Sequence, residues 1–283
     1  MDWPWEIAER DHELQNPTSA EKILLLGDYL RLSGESRVLD IACGKGGPAT
    51  LLASTYGWRI LGIEVRPAFA DEARSRVAAA GLEHLVEIRT ADAAEVELEP
   101  EAWDAALCLG ASFVWGTIAE AAEALRPALR PGGFAAIGEP FWREWPVPER
   151  IDAEDYVGLE ATVARFEAAG FATTGMIAAS EDDWDRYESL HWRALEEWLA
   201  GHDEPEIRPA RGPPLRVPRP PAGAARLGDP RRAKALRGQA GRRSETDSSR
   251  SRISSVLAPR SSRRGSADSE SSPKTRSKSG VAR

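Results

Sequence analysis

The sequence is poor in the residues from which disulfide frameworks and metal sites are built. Its 283 residues include two cysteines, Cys43 and Cys108, and four histidines. Both cysteines lie in apolar, strand-like stretches, which argues against a disulfide framework and for a reducing compartment. The histidines are scattered without the spacing of a metal site. We therefore predict no metal and a cytoplasmic location.

The sequence also lacks long apolar runs. None reaches the roughly 18 residues that a membrane-spanning helix needs. The N-terminal stretch MDWPWEIAERDHEL has acids and tryptophans where a secretory signal has a basic region followed by an apolar one. We expect no signal peptide and no membrane partner.

The last quarter of the chain lacks aromatic residues, since all ten tryptophans lie before Glu206 and no Phe or Tyr follows it. Up to Glu206 there are 17 Lys and Arg against 40 Asp and Glu; beyond it there are 20 against 5. A segment with so few apolar side chains cannot offset the entropy cost of folding. The sequence thus predicts a folded domain at 1–206, whose residues 1–34 form an N-terminal lid and helix, and a disordered, basic Arg/Pro/Ser-rich tail at 207–283.

The basic tail has no aromatic side chains on which bases could stack and no base-reading motif. Its arginines could make non-specific phosphate contacts. Nucleic acid is therefore not expected as a specific partner, and the sequence does not indicate an oligomeric state.

Strands and helices alternate through the acidic region. A Thr18-x-x-Glu21 capping box predicts a helix that begins near Ser19. Strands are predicted at 37–41, 58–65, 85–92, 103–111, 132–140 and 171–179, and helices from Pro48 and over 67–81, 117–129, 153–169 and 182–199. Such alternation predicts a doubly wound, mostly parallel α/β sheet with helices on both faces. Ligands bind at the carboxyl ends of the strands in such sheets.

A glycine-rich turn follows the first strand in VLDIACGKGGPA, residues 38–49. Its glycines allow a sharp turn and a close approach to a ligand, and the following helix points free N–H groups at the same place. The stretch also fits the dinucleotide pattern G-x-G-x-x-A, with Glu64 about twenty residues further on. Asp40 distinguishes a dinucleotide site from a site for a cationic ligand. A carboxylate repels a pyrophosphate and attracts a cationic sulfonium or ammonium group.

Five stretches in order resemble the motifs of class I S-adenosylmethionine-dependent methyltransferases, from about Glu21 to Leu199. They are VLDIACGKGG, LGIEV, RTADAAE, WDAALCLGASFVW and LRPGGFAAIGEPFW. Ala42 stands where the family more often has glycine. The particular branch resembled is a bacterial group of small-molecule methyltransferases, related to those of quinone biosynthesis and to cyclopropane fatty acid synthases.

The resemblance implies S-adenosyl-L-methionine as the cofactor, with Glu64 on the ribose hydroxyls and Asp92 on the adenine amino group. The residues expected to contact the cofactor follow the first four strands: Asp40, Ala42, Cys43, Gly44, Gly46, Glu64, Val65, Asp92, Ala93 and Leu109.

Aromatic residues after the fourth and fifth strands predict a wall for a flat or apolar acceptor. These are Trp115, Phe141 and Trp142, together with Trp145. Glu139 is the acid placed to act as a general base or to orient a neighbour by holding a backbone amide. His12, in the N-terminal lid, is a second candidate.

The residues alone are compatible with three functions. The favoured one is methyl transfer to a small molecule; the others are a nicotinamide-dependent oxidoreductase and a non-catalytic cofactor-binding protein associated with nucleic acid through its tail. No Asn/Asp-Pro-Pro-aromatic motif follows the fourth strand, and no Pro-Cys nucleophile occurs.

The family fold usually ends with an antiparallel strand beside the fifth and sixth strands, and the sequence offers only ISSVLA at 253–258, which is short and half polar. We therefore predict that the final strand is missing. One hypothesis is that a frameshift near Glu206 replaced the native ending, which resequencing of the coding DNA would test.

Overall fold

A seven-stranded sheet forms the centre of the structure, a computed structural model that describes residues 4–141, 157–202 and 252–259. The strand order is β3-β2-β1-β4-β5-β7-β6, and β1 to β5 run parallel. The strands are β1 Arg37–Ile41, β2 Arg59–Glu64, β3 Val86–Thr90, β4 Trp103–Leu109, β5 Leu129–Phe141, β6 Gly175–Ala178 and β7 Arg252–Pro259.

Helices connect β1 to β2, β2 to β3 and β4 to β5, as is usual for crossovers between parallel strands, whereas residues 91–102, all of them described, join β3 to β4 with no helix between them. Within the described ranges the helices are α1 Trp5–Ala8, α2 Ala20–Leu30, α3 Gly47–Tyr56, α4 Pro67–Ala79, α5 Ile118–Leu125, α6 Leu159–Ala168 and α7 Glu181–Gly201, with short 3₁₀ turns at Ser112–Val114 and Arg126–Ala128. None of these helices is both long enough and apolar enough to cross a bilayer.

Neighbouring residues of the central strands pack into different cores. In β1, Val38 joins the core beneath α2, α3 and α4, whereas Leu39 joins the core that includes α5 and Phe166 of α6. In β5, Ala136 and Ile137 divide in the same way. Because side chains alternate between the faces of a strand, burial of both neighbours means that helices cover both faces. This confirms the predicted doubly wound α/β architecture.

Helix caps fix where the segments around the site begin. The Ser19 hydroxyl accepts the backbone N–H of Lys22 at 3.3 Å, so the N-cap of α2 is Ser19 and not the predicted Thr18. At α7, Ser180 and Asp183 form a reciprocal capping box. Such caps satisfy backbone donors that the first turn of a helix leaves free.

The largest differences in extent between the predicted and the observed strands occur at β5 and β6. Strand β5 begins at Leu129, three residues before the expected start, because Leu129 pairs with Trp103 ahead of a register shift in β4. Strand β6 covers only Gly175–Ala178 of the predicted 171–179. The predicted start of α6 at 153 lies outside the described residues.

The prediction that the final strand is missing needs correction. Strand β7, Arg252–Pro259, includes the ISSVLA stretch and pairs antiparallel with β5 on one side and β6 on the other. Ladder hydrogen bonds use the backbone, so a short and half-polar segment can still complete a sheet. The strand removes the topological reason for the frameshift hypothesis, which stays a prediction. Apart from β7, the predicted disordered tail lies outside the described residues.

Candidate active site

A cavity of about 680 Å³ opens at the carboxyl ends of the parallel strands. The expected ligand-binding edge of the sheet is therefore where the cavity lies. Of the cofactor and catalytic residues predicted from the sequence, eight line it: Asp40, Ala42, Cys43, Gly44, Glu64, Val65, Leu109 and Glu139.

The N-terminal segment covers the glycine turn. Oε1 of Gln15 accepts the backbone N–H of Lys45 at 2.7 Å, and the side-chain amide of Asn16 donates to the carbonyl of Leu109 at 2.9 Å. Both residues line the cavity. These two bonds tie the segment to the ends of β1 and β4, the two central strands of the site.

Two glycines make this cover possible. Gly44 has φ +55° and Gly110 has φ +74°, conformations that most side chains avoid. A Cβ atom at Gly44 would also collide with Oε1 of Gln15, and one at Gly110 with Oδ1 of Asn16. The close backbone approach predicted for the glycine turn is therefore used by the N-terminal segment itself.

Among the carboxylic acids that line the cavity, Asp40 has the largest pKa shift. It is 2% exposed, and its Oδ2 atom is buried without a hydrogen-bond partner. Burial, and secondarily the nearby Glu64 carboxylate, raise its pKa from 3.8 to about 7. An unpartnered carboxylate oxygen in a cavity wall suits a cationic ligand, which would supply the missing charge and donor.

Glu64, at the end of β2, braces the glycine turn. Oε2 accepts the backbone N–H of Gly44 at 2.9 Å and Oε1 accepts that of Arg66 at 2.8 Å. Burial raises the pKa of Glu64, while these backbone bonds oppose the rise. The carboxylate is therefore held in one orientation at the cavity wall, as a residue that binds two neighbouring hydroxyls requires.

Glu139 also has a backbone partner. Its Oε1 atom accepts the N–H of Ser112 at 2.8 Å, and burial raises its pKa. Of the two roles predicted for Glu139, holding a neighbouring amide is therefore the one visible in the structure. Its place in the cavity wall also leaves the role of general base as a prediction.

Three other predicted cofactor residues lie off the cavity wall. Asp92 is exposed, and its Oδ1 atom accepts the N–H of Ala94 at 2.9 Å, which closes its own turn. Ala93 is buried in the core on the α5 side of the sheet. Gly46 is the N-cap of α3 and shapes the turn with φ +71°. Contact of Asp92 with adenine stays a prediction.

Two of the aromatic residues predicted for the acceptor wall lie off the cavity. Trp115 packs against the core and Phe141 is buried at the end of β5, so neither lines the cavity. Phe113, which is 73% exposed, and Trp5 line it instead. A 3₁₀ turn has three residues per turn, so Phe113 and Trp115, two positions apart, point in different directions. Trp142 and Trp145 lie outside the described residues.

A polar cluster borders the cavity on the side of the N-terminal segment. It consists of Glu9, His12, Tyr187 and His191, and we name it the His–Glu cluster. The Tyr187 hydroxyl donates to Oε1 of Glu9 at 2.9 Å, and Nε2 of His191 lies 2.7 Å from the same oxygen. Burial lowers the pKa of His12, although the nearby Glu9 carboxylate opposes this shift. Glu9 and Tyr187 themselves line the cavity.

Sequence reasoning selected His12 alone from this cluster and overlooked Gln15 and Asn16. Glu9 and His191 are 182 residues apart, and no local pattern joins them. The polar pair Gln15 and Asn16 before α2 was the available signal for a covering segment, but such residues are also ordinary in loops.

The two cysteines are buried, free thiols. Cys43 lies in the cavity wall, and burial raises the pKa of both thiols. A thiol with a raised pKa holds its proton and is a poor nucleophile. Neither cysteine is therefore suited to nucleophilic catalysis.

The sheet order, the glycine turn after β1, the acid at the end of β2 and the antiparallel strand beside β5 and β6 together define the class I methyltransferase architecture. The fold and the site are thus those of the protein class that the sequence motifs resemble. An unpartnered acid at the end of β1 agrees with a cationic nucleoside cofactor rather than a pyrophosphate.

Comparison with known proteins agrees with this architecture. The model of the family described as a methyltransferase domain matches residues 38–133. YjhP of Escherichia coli (strain K12) is 33% identical over 216 residues, which cover 73% of this chain and 87% of that protein. The 27-O-demethylrifamycin SV methyltransferase of Amycolatopsis mediterranei is 28% identical over 192 residues. The matched region covers 65% of this chain and 69% of that enzyme.

A solved structure shows the same fold. The SAM-dependent methyltransferase of Thiobacillus denitrificans, crystallised with S-adenosyl-L-homocysteine, has a TM-score of 0.71 and 28% identity, covering 92% of this chain and 98% of its own. The chain belongs to the S-adenosylmethionine-dependent methyltransferases. The family resemblance and the expected cofactor are thereby confirmed.

Proposed function

We propose that this protein transfers a methyl group from S-adenosylmethionine to a small-molecule acceptor in the cytoplasm. The observation that carries the proposal is the cavity itself, which joins a buried, unpartnered Asp40 carboxylate to a wall of lid and loop residues. A volume of about 680 Å³ is within the usual range for small-ligand sites. Named relatives act on small molecules, including a rifamycin derivative and trans-aconitate.

The residues present fit the cofactor. Asp40 would face its positively charged groups, Glu64 would hold the ribose hydroxyls, and the turn at Gly44 lets the backbone come close. When bound, S-adenosylmethionine supplies an activated methyl group on a positively charged sulfur. The protein's own contribution is then to hold donor and acceptor in line and to exclude water.

The acceptor would lie between the loop after β4 and the N-terminal segment. Phe113 and Trp5 offer apolar surface there, whereas Arg165 of α6 offers positive charge. Glu139 fixes the loop through the Ser112 amide and could take a proton from a protonated acceptor. A nicotinamide-dependent oxidoreductase is disfavoured, because Asp40 would repel a pyrophosphate.

Calorimetry of wild type and Asp40→Asn with S-adenosylhomocysteine, S-adenosylmethionine and NAD tests the proposal. We expect wild type to bind both sulfur nucleosides and not NAD, and Asp40→Asn to lose at least tenfold in affinity for S-adenosylmethionine. A screen of metabolites with methyl-labelled cofactor then identifies the acceptor. Binding of NAD by wild type, or unchanged affinity of the variant, would contradict the assignment.

A further inference from the structure

Three potential metal ligands from two distant parts of the chain meet beside the cavity. Glu9, His12 and His191 each offer a donor atom, and these atoms lie within 4.8 Å of one another. Glu9 and His12 follow α1, and His191 lies on α7, against which α1 packs. We propose that Glu9, His12 and His191 bind a divalent first-row transition-metal ion such as Zn²⁺. The sequence predicted no metal, because the spacing alone gives no such pattern.

The His12 ring is oriented as a metal ligand would be. Its Nε2 atom lies 3.0 Å from the backbone carbonyl of Tyr187, so Nε2 carries the proton and donates it. The Nδ1 atom then presents a lone pair, and it is buried without a hydrogen-bond partner. Histidines that bind metals usually donate their other ring N–H to a carbonyl or carboxylate in this way.

The Glu9 carboxylate faces that lone pair. Its Oε2 atom is likewise buried without a hydrogen-bond partner and lies 3.3 Å from Nδ1 of His12. Two ligand atoms about 2.1 Å from a tetrahedrally coordinated ion are roughly 3.4 Å apart. Two buried acceptors at such a separation repel each other unless a cation lies between them, and each of the two residues is only 2% exposed.

His191 and Tyr187 complete the arrangement. Nε2 of His191 lies 2.7 Å from Oε1 of Glu9, and ion binding would replace that hydrogen bond by a shared ion. The Tyr187 hydroxyl donates to the same Oε1 atom and so orients the carboxylate, as outer-sphere partners do. Two imidazoles and one carboxylate suit zinc and its neighbours in the first row.

The site would communicate with the cavity, because Glu9 and Tyr187 line it. A coordination position left free by three protein ligands could take water or an oxygen atom of the acceptor. The inference goes beyond the proposed function and does not depend on it, since metal binding can be measured without any methyl transfer.

A proton on Nδ1 of His12 could take the place of the metal ion between His12 and Glu9, and it would give a buried imidazolium–carboxylate pair. Both occupants satisfy the two facing atoms, so the experiment must distinguish them. A metal requires His191 as a third ligand, whereas a proton between His12 and Glu9 does not.

The full-length protein is stripped of metal with a chelator, dialysed and titrated with ZnCl₂, and bound zinc is measured by mass spectrometry together with the melting temperature. We expect one zinc per chain and a rise in melting temperature. His191→Gln should weaken zinc binding at least tenfold. His84→Gln, which changes an exposed histidine before β3, is the matched control and should bind zinc like wild type.

His12→Gln could fail to fold because His12 is buried, so His191→Gln carries the test and Co²⁺ absorption gives a second readout. Visible bands of Co²⁺ bound to nitrogen and oxygen donors should appear in wild type and be lost in His191→Gln. Absence of zinc from wild type, or equal binding by His191→Gln, overturns the proposal. Affinity for S-adenosylhomocysteine, measured on the same samples, keeps failure of the metal site distinct from failure of the cofactor site.

Discussion

Oε1 of Gln15 accepts the backbone N–H of Lys45 at 2.7 Å, so a side chain of the N-terminal segment completes the hydrogen bonding of the glycine turn. Lys45 is itself held in the interface: its Nζ atom donates to the carbonyl of Arg10 at 2.9 Å and pairs with Glu72 at 2.8 Å. The turn and its cover therefore form one structural unit, and the order of one depends on the other.

Replacing Gln15 by alanine should loosen this unit. The Lys45 amide would lose its partner, at a cost of about 1 kcal/mol. We expect faster hydrogen exchange at Lys45 and weaker binding of S-adenosylhomocysteine, both measurable on the full chain. Gln15→Glu keeps an oxygen acceptor of the same reach and should retain slow exchange at Lys45. Slow exchange in Gln15→Ala would show that the segment does not hold the turn.

Glu64 and Asp92 should behave differently although both were predicted from the sequence to bind the cofactor. Glu64→Gln retains only one of two buried acceptors for the N–H groups of Gly44 and Arg66. We expect a loss of about 1–3 kcal/mol in unfolding free energy and at least tenfold in affinity for S-adenosylhomocysteine.

The matched change Asp92→Asn should leave affinity within about twofold, because Asp92 is exposed and an asparagine can still accept the Ala94 N–H. Calorimetry on both variants provides the comparison. A tenfold loss in Asp92→Asn would instead support the predicted contact with adenine.

The titration of Asp40 should make the ligand-free protein less stable as the pH rises from 4 to 7. The folded-state pKa is about 7 and the ordinary value is 3.8, so between these values the folded state holds a proton that the unfolded state has lost. Stability is therefore highest below the unfolded pKa and falls until the folded pKa is passed. From pH 5 to pH 8 the loss is about 2–3 kcal/mol.

An asparagine at this position cannot titrate, so Asp40→Asn should not lose this stability between pH 5 and pH 8. The unfolding free energy of the variant should therefore rise relative to that of wild type over this range. Urea unfolding at the two pH values measures it, and the subtraction cancels other groups such as Glu139. An equal difference at both pH values would mean that Asp40 does not titrate in this range.

The sequence predicted the sheet well, because strands buried on both faces are read directly as apolar runs. VLDIAC and WDAALCLGA alternate with helices whose caps and glycines are local signals. The same reasoning failed at β7, whose pairing depends on backbone hydrogen bonds with β5 and β6 rather than on its own apolar content.

The site was predictable where it follows strand ends and not where distant segments meet. Asp40 and Glu64 end neighbouring strands, so the topology brings them to one cavity. Gln15 and the His–Glu cluster reach the same cavity from the N-terminal segment and α7, and no spacing in the sequence records that contact. Phe113 was passed over for Trp115 because the larger ring is the stronger compositional signal.

Alanine substitutions at Phe113 and Trp115 should distinguish a residue of the binding surface from a residue of the core. Phe113 lines the cavity at 73% exposure, so Phe113→Ala should change unfolding free energy by less than about 0.5 kcal/mol. Trp115 packs against the core formed by α5 and the sheet, so Trp115→Ala should cost on the order of 2 kcal/mol. Urea unfolding of the two variants measures both values, and affinity for S-adenosylhomocysteine should be retained in Phe113→Ala because its effect is expected on the acceptor. Equal destabilisation by the two changes would show that Phe113 is a packing residue, and the aromatic wall of the acceptor site would then have to come from Trp5.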